Sequence, residues 1–599
     1  MDDIGSNTIA SNAKGSYYKP NDYTFRLWAP HADSVSIIGD FNNWEEDLDF
    51  MKSENNGHWS LTLNHAKQGD HYKFVIQSDT SKLYREDPYA IEFNEQNETS
   101  VITTTDFDWT DYDFKIVERK KMVIYQLDVG YFFSELNYNK AEPQHILEPI
   151  SYLNALGINT IEIALPPPLV NPKKWSYHPS RPMSLSKEMG GYKAFANLVN
   201  LAHRQGIAVI MSLDISHFDS TSLLWHFDAE DEENEGGIYF YGDYRSNSPW
   251  GPRRPNYSCN EVRKYLQDTA LLWIETYHCD GICFVNTDYV RHTNGISNSG
   301  AFLEDGKLLL NSIVGEIKTK YPSKILIAEE KRYDPLLTTP LTEGGFGFDI
   351  QRNSESVNSI SQVLTANKDD DRQMGSLMDA MKLQEGGRTT TRIFHTVSQR
   401  SISEHGRRLA DIITSNQVEN NLLKKRITLA GLLTLTAPGI PMLFQGQENL
   451  AKHYFIREQL NWNNLTQCQG IIKLFSDLIK FRKSGYLDFI GLQGSLIDFI
   501  YLSETEKVIA YQRAHSKHPK NKLCVIINFS KRHYENFKLK LPAKGLWKLI
   551  FNSGSNSYDD MYDNLPVSNF NAEKAVGEGE YEGTFCLPAY VGLIYINRE

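Results

Sequence analysis

Two hydrophobic rhythms divide this chain. From about residue 20 to 105 apolar and polar positions alternate in short runs, as in Tyr23-Thr24-Phe25-Arg26-Leu27-Trp28, Val35-Ser36-Ile37-Ile38 and His71-Tyr72-Lys73-Phe74-Val75-Ile76. A period of two, broken by turn segments such as Gly39-Asp40-Phe41-Asn42-Asn43-Trp44, predicts a small β-module. From about 121 to 450 the rhythm changes to continuous apolar runs between stretches of helical period, the mark of a parallel α/β fold. Val123-Ile124-Tyr125-Gln126-Leu127 predicts its first strand. Leu156-Gly157-Ile158-Asn159-Thr160-Ile161-Glu162-Ile163 places a glycine where a helix ends and a strand begins, and Ala202-His203-Arg204-Gln205-Gly206-Ile207-Ala208-Val209 repeats the pattern. The unit recurs at Lys324-Ile325-Leu326-Ile327-Ala328-Glu329. Such units predict a (β/α)₈ barrel, whose functional residues belong at the C-terminal ends of the strands. After an amphipathic helix near 470–483, short β runs return at Val508-Ile509-Ala510-Tyr511 and Gly592-Leu593-Ile594-Tyr595-Ile596 and predict a C-terminal antiparallel β-sandwich.

At 599 residues the chain exceeds one compact core and should divide into several domains. Its formal net charge of −13 argues against a polyanionic ligand such as nucleic acid. An aromatic content of 12% suits sugar binding, because ring faces stack on pyranose C–H faces, and suits a large core equally well. Met1 to Pro20 lacks the charged-then-apolar run of a signal peptide and no window reaches the length of a membrane helix, so a cytoplasmic protein is expected. The six cysteines are too scattered for a disulfide framework. Cys279 and Cys283 are expected on one face of a buried strand as inert thiols. No cofactor is expected, and Asp369-Asp370-Asp371 reads as a solvated loop rather than a Ca²⁺ site.

The most informative stretch is Asp280-Gly281-Ile282-Cys283-Phe284-Val285-Asn286-Thr287-Asp288. It resembles the catalytic-strand segment D-G-[LIF]-R-[FV]-D-A-V of the α-amylase clan (glycoside hydrolase family 13), with Cys283 and Val285 where that clan carries Arg and its nucleophilic Asp. Trp250-Gly251-Pro252-Arg253-Arg254-Pro255-Asn256-Tyr257 resembles the run that leads a branching enzyme into that strand. Ala328-Glu329-Glu330, Gly344-Gly345-Phe346-Gly347-Phe348-Asp349 and Thr436-Ala437-Pro438-Gly439-Ile440-Pro441 follow in the clan's order, similar to glycogen-branching enzyme and malto-oligosyltrehalose trehalohydrolase. The resemblance implies a flexible N-terminus over 1–19 and an immunoglobulin-like carbohydrate-binding-type module over 20–105. It further implies a barrel over 106–485 with a polar insertion at about 356–390, and a β-sandwich over 486–599. Such a module either binds glucan or braces the barrel, and bracing is expected here.

Retaining glycosidases need two carboxyl groups roughly 5 to 5.5 Å apart, one to attack the anomeric carbon and one to protonate the leaving oxygen. The resemblance assigns Glu329 to the acid/base position, although Glu330 competes for that assignment. Three other positions depart from the pattern. Ser212 opens Ser212-Leu213-Asp214-Ile215-Ser216-His217 in place of D-V-V-x-N-H, Ser398 stands at the third Asp, and Asp128 stands where relatives carry His. On a strand Cys283 and Val285 point the same way, into the space where a sugar should meet a carboxylate. Asp214, sharing the face of Ser212, and Asp288, in the following loop, are the candidate substitute carboxylates. His217, Trp175, Tyr177, Trp250 and Tyr257 are candidate sugar contacts. A catalytically degenerate homologue that keeps glucan binding or a regulatory role is the first expectation. A working α-glucan hydrolase or transferase and a scaffold without sugar binding are the alternatives. These readings leave room for an α-glucan or malto-oligosaccharide ligand and for a protein partner.

Overall fold

The computed structural model describes residues 22–597 apart from 79–80, 134–142, 164–177, 230–235, 296–301, 383–388, 399, 403–406, 416–419, 453–461, 463, 487–488, 563–565 and 578–579. Eight parallel strands close into a barrel in chain order: β1 Ile124–Leu127, β2 Thr160–Ile163, β3 Ala208–Asp214, β4 Gly281–Val285, β5 Ile325–Glu330, β6 Ile350–Asn353, β7 Arg392–Phe394 and β8 Ile440–Phe444. β1 pairs with both β2 and β8, which closes the ring. Alternate side chains divide the strands between two apolar layers. Ile124, Ile210, Cys283, Val285, Ile327, Ile350 and Met442 belong to the barrel interior. Tyr125, Ile161, Val209, Ile282, Phe284 and Leu326 pack outward beneath the helices. Strands covered on both faces are rich in apolar residues, and this made β1, β2, β3 and β5 legible in the sequence.

The helix Gly191–Arg204 buries Phe195, Leu198, Val199 and Ala202 on the face turned to this wall. Gly206, at φ 73°, ends it and turns the chain into Ile207, and Gly157, at φ 101°, does the same after the helix Pro143–Leu156. Both sit in the left-handed region that a residue with a Cβ enters at a cost.

Two expectations need correction in this part of the molecule. The stretch at about 356–390 is not simply a polar insertion, because it contains the amphipathic helix Glu355–Thr365, with Val357, Ile360, Val363 and Leu364 buried, and the helix Met374–Met381. It is the crossover from β6 to β7, and its exposed polar face masked the buried one. Within it Asp369 is fastened to the C-terminal domain, accepting from the Lys531 N–H at 2.9 Å and the Tyr590 hydroxyl at 2.6 Å, while Asp370 and Asp371 are exposed. Cys279 and Cys283 do not share a face: Cys279 lies in the layer outside the barrel wall and Cys283 inside it. His278 takes a left-handed φ of 57° and the strand begins only at Gly281, so the alternation does not reach back to Cys279.

The N-terminal strands form two small sheets fastened to the barrel. Leu185–Ser186, from the chain between β2 and β3, pairs in parallel with Glu92–Asn94 of the module. Arg85 donates to the carbonyls of His226 and Phe227 at 2.6 and 2.9 Å, and Arg181 makes two bonds to Glu86 at 2.6 Å each. The C-terminal sandwich is built from one continuous antiparallel sheet of eight strands running from Leu496–Ser503 to Gly592–Asn597. One face carries Trp547, Phe570, Phe585 and Tyr595, and the other merges through Tyr511, Val525 and Ile594 with the main core. The expected flexible terminus at 1–19 lies outside the described residues.

Candidate active site at the barrel mouth

Towards their C-terminal ends the inward positions of five barrel strands carry polar or ionisable side chains. Ile124 gives way to Gln126, Thr160 to Glu162, Ile210 to Ser212 and Asp214, Ile327 to Glu329, and Ile350 to Arg352. Glu329 and Arg352 are register partners on adjacent strands. Arg352 donates through Nε to Glu329 at 3.0 Å and through Nη2 to the same oxygen. Its Nη1 reaches both Glu162 oxygens at 2.7 and 2.5 Å. Glu162 also accepts from Gln126 at 2.8 Å and from Ser212 Oγ at 2.9 Å. On the other side of Glu329, Arg400 Nη1 donates to Oε1 at 3.2 Å and to Asn286 Oδ1 at 2.9 Å. Asn286 donates in turn to Asp214 at 2.9 Å, and Asp214 Oδ2 lies 2.8 Å from His178 Nδ1. A chain of hydrogen bonds therefore crosses the mouth from His178 to Glu162. It turns through Asn286, whose φ of 56° is left-handed, a conformation asparagine enters more readily than most residues.

These groups are deeply buried, with Glu329 and Arg352 each 2% exposed and Glu162 and Asp214 at 0%. Burial disfavours charge on Glu329, yet Arg352 and Arg400 outweigh it and hold its carboxyl below the usual range. Asp214 is likewise depressed: burial opposes its charge, and His178 together with the hydroxyl and N–H of Ser216 overcomes that. His217 is driven down to about 3, by burial first and then by His178, and is neutral. His395, buried beside Arg352, is also pushed to about 3. Two carboxyls move the opposite way through burial: Asp288 rises to about 6 and Glu330 to about 7. Glu329 is thus clamped from two sides and accepts hydrogen bonds from both arginines.

The positions singled out in the sequence separate here. Glu329 faces the barrel interior, whereas Glu330 accepts from Thr287 at 2.8 Å and Arg291 at 2.5 Å. Val285 and Cys283 do face the interior, Cys283 in register with Ser212 and Val285 in register with Asp214 at the mouth. Ser212 joins the network, but Ser398 exchanges hydrogen bonds locally with Ser401. Asp128 is buried, its N–H donating to Gln445 at 2.8 Å. Asp288 sits in the short helix Thr287–Arg291, a correction to the expected loop. Tyr257 is not a surface contact: it is 0% exposed and its hydroxyl donates to the Ile215 carbonyl at 2.8 Å. Its motif fixed its place along the chain but carried no information about covering layers. Trp250 is 39% exposed, with its ring 4.5 Å from His178 and 4.7 Å from Tyr289, and His217 is buried behind it. Trp175 and Tyr177 lie outside the described residues.

Sequence reading missed Glu162, Arg352, Arg400, Asn286 and His178 as members of one cluster. Glu162 did carry a signal, an ionisable side chain between two isoleucines of a barrel strand, whereas Arg352 sits in the polar run Gln351-Arg352-Asn353. Arg400 and His178 carried no signal, because they come from segments distant in the chain from Glu329 and Asp214, which they meet.

Residues 11–90 match the family model of carbohydrate-binding module 48 (isoamylase N-terminal domain), and residues 501–597 match the alpha amylase C-terminal all-beta domain. The 1,4-alpha-glucan branching enzyme GlgB of Francisella tularensis subsp. mediasiatica is 26% identical over 631 residues, covering 95% of this chain and 92% of its own length. The enzyme of that name from Prochlorococcus marinus is 27% identical over 623 residues, covering 89% and 76%. Among solved structures, a putative alpha amylase from Salmonella typhimurium superposes with a TM-score of 0.72 at 17% identity, covering 97% of this chain and 99% of its own. A type I pullulanase from Bacillus subtilis, complexed with maltose, gives 0.73 at 16% identity, covering 98% and 86%. The closed barrel with its two flanking β-domains is the fold of those solved structures, and the two module matches and the near full-length similarity to branching enzymes support a place in the α-amylase clan, glycoside hydrolase family 13, close to the branching enzymes.

Proposed function

We propose that this chain is an α-glucan-binding member of its clan that no longer carries out retaining glycoside chemistry and acts as a partner or regulator in α-glucan metabolism. The observation that carries this reading is the clamping of Glu329 between Arg352 and Arg400 at a mouth where Val285 ends β4. A retaining step needs a lone pair at the second position and a proton at the first. Valine supplies no lone pair, and the two arginines keep Glu329 deprotonated. Asp214 is committed to His178, Ser216 and Asn286, and Asn286 and Arg400 stand between it and Glu329.

Binding is supported by the N-terminal module rather than by the mouth. Trp44 and Tyr84, 37% and 46% exposed, flank a surface depression of about 640 Å³ that also presents Lys73 and Asn97. Exposed aromatic faces beside polar groups suit a neutral glucan. Trp250 offers a second, smaller ring surface.

The second reading is a working hydrolase or glucanotransferase with a non-standard carboxyl. Asp288 favours it, because burial lifts it to about 6 and it lies near Arg400, so it exchanges a proton close to neutrality. A malto-oligosaccharide titration combined with a product assay, on wild type and Glu329→Gln, separates the readings. Binding without turnover in both proteins supports the proposal. Turnover that Glu329→Gln abolishes overturns it, and absence of binding leaves a protein scaffold.

A further inference from the structure

The opposite end of the barrel holds a second cluster of buried ionisable groups, built around the segment 106–118 that leads from the module to β1. His203 lies near the end of the helix Gly191–Arg204 with its side chain 3% exposed. Its Nδ1 is 2.6 Å from Asp111 in that segment, and its Nε2 is 2.7 Å from Asp280, just ahead of β4. Phe114 lies flat on the imidazole, with ring centroids 4.1 Å apart and planes 3° apart.

We propose that His203 is the bolt of a pH-sensitive latch that, when protonated, holds segment 106–118 against the base of the barrel. The geometry itself demands the proton. A neutral imidazole has one N–H and one lone pair, so it would turn that lone pair towards a carboxylate oxygen. With both nitrogens on carboxylates, the ring is bound as imidazolium, and the face of Phe114 favours that cation further.

The other charged groups around the ring are arranged to keep both carboxylates in place. Asp280 also accepts from the Val209 N–H at 2.8 Å and faces Lys324 at 3.4 Å. Asp111 faces His278 at 3.4 Å. Farther along the same wall, Lys318 and Arg119 both engage Asp349. The rest of the segment is fixed more weakly. The Thr110 N–H donates to Asn200, three residues before His203 on the same helix face, at 2.9 Å, and Trp109 stacks on His278 at 3.8 Å. Between the segment and the base lies a cavity of about 730 Å³ lined by Phe114, Ile116, Lys318, Lys324 and Asp349.

Burial works against the charge on His203, but Asp280 and Asp111 together raise its pKa above the ordinary imidazole value. A raised histidine contributes stability that is fully present below about pH 6.5 and lost as pH rises through the folded-state value. Asp111 is lowered, its ion pairs with the two histidines outweighing burial, so its contribution is lost only in acid below its ordinary range. The latch is therefore closed in mild acid and opens as pH rises through the raised His203 value, loosening the segment over the cavity.

The test is amide hydrogen exchange of residues 106–118 in the full-length protein across pH 5.5 to 9, corrected for intrinsic rates. In wild type, protection should fall at least tenfold as His203 titrates, while strands β3 and β4 stay protected. In His203→Gln it should be low and flat with pH. Protection that does not change with pH in wild type overturns the proposal. If His203→Gln does not fold, the His203 titration followed by NMR in wild type and Asp111→Asn decides. A midpoint above about 6.5 that drops in Asp111→Asn upholds the latch, and a midpoint at or below that value in wild type overturns it.

Discussion

The barrel mouth and the outer face of the N-terminal module present opposite kinds of polar surface. At the mouth every principal side chain turns to a neighbour: Arg352 to Glu162 and Glu329, Arg400 to Glu329 and Asn286, His178 to Asp214. On the module Trp44, Tyr84 and Lys73 line an open depression at the surface. The first arrangement keeps a barrel folded around charges that cost much to bury, and the second leaves apolar ring faces in water where a sugar can cover them. A mouth whose groups satisfy one another holds its buried charges in place through mutual pairing. On the proposed reading, recognition and the barrel mouth are separable.

The largest expected effect breaks the mouth side of that comparison. Arg352→Met should destabilise the protein by about 3–5 kcal/mol in urea denaturation, because Glu162 and Glu329 are left buried without their cation. Adding Glu162→Gln and Glu329→Gln to that variant should recover most of the loss. A single-mutant cost below about 1 kcal/mol would mean that water reaches the network.

The module side is tested by Trp44→Ala, which should weaken malto-oligosaccharide binding about tenfold, or ~1.4 kcal/mol, in a calorimetric titration with the fold intact by circular dichroism. A smaller loss, roughly two- to threefold, is expected for Trp250→Ala, whose ring already packs on His178 and Tyr289. If Trp250→Ala costs more than Trp44→Ala, the mouth is the principal binding surface and the comparison is reversed. The smallest effect is expected from Glu329→Gln on binding, within about twofold of wild type, since the clamped side chain faces Arg352 and Arg400 rather than a ligand.

Much of the architecture was legible because it depends on local pattern. Apolar runs marked several barrel strands, glycines marked the helix exits, strand alternation put Cys283 and Val285 on one face, and the family resemblance assigned Glu329 its position. Legibility failed where a side chain's surroundings come from elsewhere. Tyr257 stands in a surface-like motif but is covered by the core, and the helix Glu355–Thr365 showed its polar face first. Asp214 was noticed as a carboxyl sharing the face of Ser212. That His178 and Asn286 absorb it was not visible.

The sequence by itself determined the fold, the family resemblance and the absence of a carboxylate at Val285, because these follow from period, order and residue identity along the chain. Only the tertiary structure decided what became of the carboxylates that are present. Glu162 and Arg352 are 190 residues apart, and barrel closure brings them within hydrogen-bond distance. Whether Glu329 holds a proton depends on which cations the fold places beside it, a balance between burial and pairing that linear spacing does not encode.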